Sequence, residues 1–192
     1  MREIKDEFFE EIIIAGFGGQ GIIMTGKLLA QAAMKAGKEV TFIPSYGAEV
    51  RGGTANCMVI IADGPIACPL VGRADSLIVM NRASLDKFSP RLKTGGLLVL
   101  NSSLIDSWPD INPTVDIIAV PADQLAVEMG NPRAANLVAL GAYLQRRGLL
   151  TVDVAAAALS DVFAERHHKI LPLNSKALYR GAEFAKSYHC PE

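Results

Sequence analysis

An α/β fold with a mostly parallel sheet is predicted by three neighbouring observations. Glu11 leads into a short, wholly apolar run, Ile12-Ile13-Ile14-Ala15, that ends at a glycine. Apolar residues at helical spacing follow: Ile22, Leu28, Leu29, Ala32 and Ala33. A largely β-branched run, Val40-Thr41-Phe42-Ile43, comes next. Continuous apolarity over so few positions marks a strand buried on both faces, whereas recurrence every three to four residues marks a helix packed along one side. Residues 11–43 therefore read as a βαβ unit with a right-handed crossover. Gly37 suits the left-handed cap that closes the helix, and Pro44 stops the second strand.

The same punctuation continues downstream. Further strands are expected at 56–61, 77–80, 97–100 and 115–120, each bounded by glycine, proline, aspartate or asparagine. That gives a sheet of about six strands. Asn131-Pro132 opens a helix over 134–147, with a capping side chain followed by proline at the first helical position. Helical patterns also cover 152–163 and 175–188. The whole chain, residues 1–192, reads as one three-layer, Rossmann-like domain whose C-terminal third is helical and carries no motif tied to chemistry.

Composition narrows the function. Half of the residues are apolar, one fifth are charged, and the net charge is −1 with the basic residues dispersed. The electrostatic footprint of a nucleic-acid binder is missing. The longest apolar stretch, Leu137 to Leu144, is broken by Gly141 and is far short of a bilayer span. The N-terminus is charged and acidic where a secretory signal is basic and then apolar, so the chain is expected in the cytoplasm. Cys57, Cys68 and Cys190 are odd in number and scattered, which fits free thiols better than a disulfide framework or a metal motif.

Two segments carry the functional signal. Gly16-Phe17-Gly18-Gly19-Gln20-Gly21 has the G-x-G-x-x-G spacing where a strand hands over to a helix. Glycines admit positive φ angles and a close ligand, and the N-terminus of the following helix favours an anion. A dinucleotide site also needs an acidic residue at the end of the second strand to hold the ribose. Here that strand ends Phe42-Ile43-Pro44-Ser45, with Glu39 before it. A glycine turn that merely packs helix against strand is the other reading. The second segment, Ser45-Tyr46-Gly47-Ala48-Glu49-Val50-Arg51-Gly52-Gly53-Thr54, follows the second strand, so both segments belong at the carboxyl edge of the sheet. Arg51 suits a bidentate contact to a phosphate or carboxylate, or an ion pair with Glu49.

Other features are read as structural. His167-His168-Lys169 is a solvated helix terminus, and Asp75, Asp86 and Asp123 are caps at turns or helix starts. No G-x-S-x-G elbow or phosphate-binding GxxxxGK[ST] loop occurs. No residue is read as a nucleophile, acid, base or metal ligand.

Together, AGFGGQGI at Ala15 to Ile22 and PSYGAEVRGGTANC at Pro44 to Cys57 resemble the gamma subunit or gamma domain of the 2-oxoacid:ferredoxin oxidoreductases. The likeness extends through Asp63-Gly64-Pro65-Ile66, Ala74-Asp75, Gly95-Gly96, and the helix with Asn136 and Gly141, to about Leu150. It implies a partial enzyme of anaerobic metabolism: the complex converts a 2-oxoacid and coenzyme A to acyl-CoA, carbon dioxide and reduced ferredoxin. Thiamine diphosphate, magnesium and 4Fe-4S clusters are implied on alpha, beta and ferredoxin-like delta partners. Consistently, these residues contain neither a GDG segment followed by an asparagine pair nor a CxxCxxCxxxC run. The resemblance makes coenzyme A the candidate ligand. Gly16, Gly18, Gly19, Gln20, Gly21, Ser45, Tyr46, Gly47, Glu49, Arg51, Gly52 and Gly53 would either help cradle it or pack against partner subunits. An indolepyruvate oxidoreductase small subunit and a free-standing nucleotide-binding protein are the alternatives.

Overall fold

The structure, a computed structural model, describes residues 8–46, 54–107 and 112–188. Six strands form one sheet in the order β2-β3-β1-β4-β5-β6: β1 (Phe9–Phe17), β2 (Glu39–Tyr46), β3 (Thr54–Ala62), β4 (Ala74–Val79), β5 (Leu92–Asn101) and β6 (Asp116–Val120). Pairings from β1 through β6 on one side are parallel, whereas β3 runs antiparallel to both β1 and β2. The α/β class and the mostly parallel strand directions are as the sequence predicts.

Four local expectations are corrected. First, β2 is not the neighbour of β1: β3 stands between them, so the two strands of the βαβ unit point the same way without pairing. A fully apolar central strand reads the same in either orientation, which hides the insertion. Second, β2 runs on through Pro44 to Tyr46. Proline lacks a donor, but β2 is an edge strand and one side of it needs none. Third, Gly95-Gly96 and Ala74-Asp75 lie inside β5 and β4, where the register shifts between Ala74 and Ser76, instead of before them. Fourth, Asn131 does not cap through its side chain. Its Nδ2 donates to Asn174 Oδ1 at 3.3 Å, and a 3-10 turn over Pro132–Ala134 starts the helix.

The helices are α1 (Ile22–Lys35), α2 (Arg82–Phe88), α3 (Ala122–Glu128), α4 (Ala135–Arg147), α5 (Val152–Val162) and α6 (Leu171–Ser187). α1 and α3 to α6 cover one face of the sheet, where Ile12, Ile14, Val59, Ile78 and Val99 meet Leu28, Leu29, Leu140 and Leu178. The other face is thinly covered: α2 contributes Leu85 and Phe88, and connecting segments contribute Val71, Ile105 and Val115. α2 and α3 are seven residues each, too short to declare a helical period in the sequence. On the thick face α4 and α6 cross at a pair of glycines. A Cβ at Gly141 would lie 1.9 Å from Leu178 O, and one at Gly181 would lie 1.9 Å from Val138 O, so only hydrogen fits at either position. That contact fixes α6 against α4 and places the start of both helices at the carboxyl edge of the sheet. Among the described residues, no helix is long and apolar enough to cross a membrane.

Candidate functional site

The direction of the chain changes hands between β1 and β4. The helix after β1 packs on one face and the helix after β4 on the other, so the crevice beyond their carboxyl ends is the topological switch point at which ligands of open α/β sheets bind. In this chain the side chain of Gln20 bridges it. Gln20 Oε1 accepts from Phe17 N at 2.7 Å and from Asn81 Nδ2 at 3.0 Å, and Nε2 donates to Met80 O at 3.3 Å. Asn81 is held in turn as the cap of α2, its Oδ1 accepting from Ser84 N at 2.9 Å. Both ends of the Gln20 amide thus hold the loop to the end of β4.

The glycine loop exits into α1 through two left-handed residues, Gly19 at φ 99° and Gly21 at φ 74°. Gly21 is the N-cap of α1 and has no side chain to satisfy the first-turn N–H groups. Its carbonyl is held from the far end of the chain: Asn136 Nδ2 on α4 donates to Gly21 O at 3.2 Å and to Thr25 Oγ1 at 2.9 Å. A Cβ on Gly21 would sit 2.6 Å from Asn136 Nδ2, so glycine is needed there for space as well as for φ.

Beside this junction opens a cleft of about 490 Å³. Gly19, Gly21 and Met24 form one wall; Asn131, Arg133, Asn136, Leu137, Phe163, His167, Ile170 and Asn174 form the other. The C-terminal third, in which the sequence shows no motif tied to chemistry, therefore lines most of this cleft. His167 lies exposed in a 3-10 helix, Glu165–Ile170, that leads into α6, so it borders the cleft from a helix start. The signal in the sequence was a polar residue inside an apolar helical run: Asn136 among Ala134, Ala135, Leu137 and Val138, and Asn174 on the face shared by Ala177 and Leu178.

The second glycine segment reaches the same edge. Phe17 pairs with Thr54, and Tyr46 with Ala55, so the ends of β1 and β2 stand level, roughly 10 Å apart across β3. Ser45 and Tyr46 are exposed there, Tyr46 to 71%. Gly47, Glu49, Arg51, Gly52 and Gly53 lie outside the described residues.

The aspartates read as caps are otherwise employed. Asp75, inside β4, accepts from Glu11 N and from Lys93 Nζ, each at 2.9 Å. Asp86 pairs with Arg82 one turn earlier on α2, and Asp123, in the first turn of α3, accepts from Asn101 Nδ2. Cys57 is buried against α1, where desolvation pushes its thiol up to about 12, whereas Cys68 is exposed.

Residues 11–184 match the family model of the pyruvate ferredoxin/flavodoxin oxidoreductases. The chain belongs to that family. Ketoisovalerate oxidoreductase subunit VorA of Methanothermobacter thermautotrophicus is 36% identical over 95% of this chain, which spans only 38% of that relative. The gamma subunit of a keto/oxoacid ferredoxin oxidoreductase from Geobacter sulfurreducens superposes with TM-score 0.82 at 33% identity, covering 94% of this chain and 98% of that one. A 2-oxoglutarate:ferredoxin oxidoreductase from Magnetococcus marinus, with 2-oxoglutarate, coenzyme A and succinyl-CoA bound, superposes with TM-score 0.85 at 28% identity, over 94% of this chain and 32% of that one. The resemblance to the gamma type rests on the whole fold as well as on the two glycine segments.

Proposed function

We propose that this chain is the gamma subunit of a multi-subunit 2-oxoacid:ferredoxin oxidoreductase, which decarboxylates a 2-oxoacid oxidatively to acyl-CoA, carbon dioxide and reduced ferredoxin. The end-to-end match with a separate gamma subunit carries the reading. The relatives differ in the 2-oxoacid that their names give, which fits a pocket shaped by other subunits. Thiamine diphosphate with magnesium, and 4Fe-4S clusters, supply decarboxylation and single-electron transfer from alpha, beta and ferredoxin-like delta partners in the cytoplasm. No segment of these 192 residues has the spacing to hold either group. This chain's part is to bind and orient.

Coenzyme A is the ligand for which the glycine loop fits. Gly18, Gly19 and Gly21 keep the backbone bare beside the first turn of α1, whose N–H groups favour a phosphate, while Gly16, buried at the end of β1, makes room for Ile22 and Gln20. Gln20 stiffens that loop, while Ser45 and Tyr46 stand at the same edge, and Gly47, Glu49, Arg51, Gly52 and Gly53, next in sequence, would meet coenzyme A or a partner. The free-standing dinucleotide reading is disfavoured by β3, which separates β2 from β1 where a ribose-holding acid would come from the adjacent strand.

Anaerobic purification of the tagged chain from its native host tests the assignment. Stoichiometric partners carrying thiamine diphosphate and iron–sulfur clusters, with 2-oxoacid-dependent viologen reduction, are expected. A cofactor-free single chain at native abundance would sink it.

A further inference from the structure

The thinly covered face of the sheet carries an uncompensated charge. Where α2 reaches the amino edge of that face, three cations gather around Phe88. Lys87 Nζ stands 5.3 Å from the centre of its ring, and the Arg91 guanidinium 5.7 Å. Arg91 is also pinned by the segment between β3 and β4: its Nε donates to Gly72 O at 3.1 Å and its Nη2 to Val71 O. Arg73, next along that segment, donates to Leu92 O at 3.5 Å. None of the three pairs with a carboxylate among the described residues. A ring and backbone carbonyls fix these cations in place but leave their charge unneutralised.

The surface beside them is apolar and stiff. Leu70, directly before Val71, is 62% exposed, and Pro69 and Pro90 are exposed with it. A groove of about 390 Å³ opens here, with Arg73, Lys93 and Thr94 among its walls. Lys93 is committed to Glu11 and Asp75, so Arg73 is the cation in the groove still open to a carboxylate. A small anion would make no use of Leu70, and a nucleic acid would need a longer basic track than three residues. Arginines already held in place, around an apolar side chain that stands out, instead suit a protein surface, because little side-chain freedom is left to lose on docking. We infer that this amino-edge patch docks an acidic face of another subunit of the oxidoreductase, with Leu70 against its apolar centre and Arg73, Lys87 and Arg91 paired to its carboxylates. The inference rests on the reading of this chain as a subunit. It sets the contact at the opposite end of the strands from the glycine loop, about 20 Å away along the six residues of β4, so docking and ligand binding are separable.

The test uses the complex purified from the native host. A carbodiimide joins a lysine amine to a touching carboxylate as an amide and leaves as the urea. Mass spectrometry of the digest is expected to find Lys87 joined to an aspartate or glutamate of a partner subunit. Arg73→Glu combined with Lys87→Glu raises the dissociation constant of this chain for the rest of the complex about hundredfold in sedimentation, roughly tenfold for each reversed charge, and Leu70→Ala raises it about fivefold. Changing the coupled partner carboxylate to lysine restores most of the affinity lost to the double reversal. Viologen reduction per assembled complex stays within about twofold. Absence of an amide between Lys87 and a partner subunit, or unchanged affinity in the charge-reversed variant, overturns the inference and leaves the subunit assignment standing. Failure of the chain to co-purify with any 2-oxoacid-oxidising partner overturns the assignment instead.

Discussion

The two edges of the sheet solve the problem of buried polarity differently. At the amino edge the carboxylates are paired, and the Tyr143 hydroxyl beside them is buried without a hydrogen-bond partner. Glu10, with 0% exposure, takes Arg147 Nε at 2.8 Å and Nη2 at 2.5 Å, and Ser76 Oγ at 2.6 Å. Lys93 bridges Glu11 and Asp75 at 2.8 and 2.9 Å. Burial works against the Lys93 ammonium, but the hydrogen bonds and charges of its two carboxylates outweigh it and hold it above its ordinary value. At the carboxyl edge the buried polar groups are neutral, the amides of Asn81, Asn101, Asn136 and Asn174 and the hydroxyls of Thr25 and Ser84, with the half-buried amide of Gln20 beside them. α4 runs from one regime to the other, with Asn136 near its start and Arg147 at its end. The charged edge ties strands to α4 through ion pairs; the uncharged edge ties the glycine loop to β4 and α4 through amides.

The largest expected effect breaks the charged edge. Arg147→Met strands the Glu10 carboxylate where no water reaches it. Loss of one partner of a buried pair costs 3–5 kcal/mol, and because Arg147 is itself a third exposed the low end applies, about 3 kcal/mol in urea denaturation. Combining Glu10→Leu, Ser76→Ala and Arg147→Met, which removes the charges and the hydroxyl together, recovers most of that loss. If Arg147→Met alone is neutral, the amino edge is not a lock.

A smaller effect probes the amide edge. Gly19→Ala meets nothing within 4 Å and incurs only the left-handed backbone penalty, about 1–2 kcal/mol. Gly21→Ala incurs that and a collision with Asn136, so it is the more destabilising of the two. In an Asn136→Ala background the collision disappears and the two glycine variants converge. Strict additivity in that double-mutant cycle would mean that Asn136 does not set the loop.

The contrast between the edges also marks what the sequence could show. β1, α1 and the glycine loop were legible because period and punctuation are local properties, and Gly16 to Gly21 stands at a strand–helix junction that the apolar runs define. The insertion of β3 was not, since Asn56 to Ile61 is equally apolar whichever neighbour it takes. The cleft was hidden for a related reason. Asn136 lies 115 residues from the carbonyl that it holds, and Asn174 sits in a helix that read as featureless. Only the α4–α6 crossing at Gly141 and Gly181 brings these side chains to the loop. Conversely, Asp75 looked like a cap because aspartate before an apolar run usually is one, and its true partner, Lys93, comes from another strand.

The smallest effect concerns a neutral group on the thick face. Cys57 is enclosed by α1, its Sγ within 2.3 Å of where a Cβ on Gly26 would be, and it donates to Ile22 O at 3.6 Å. Desolvation is the main reason that its thiol rises from 9.0 to about 12. A group that binds its proton more tightly when folded leaves stability unaffected below its unfolded pKa. As pH rises past 9 the unfolded chain releases the proton and the folded chain does not, so stability falls between pH 9 and about 12. Tyr143, raised by burial and by the Glu10 charge, adds to the decline above its ordinary 10. Cys57→Ala should therefore flatten the lower part of that decline, from pH 9 to 10, in denaturation series, and the Cys57 peptide should stay unalkylated at pH 9 while Cys68 reacts. Rapid alkylation of Cys57 in the folded protein would mean that α1 opens from β3 locally.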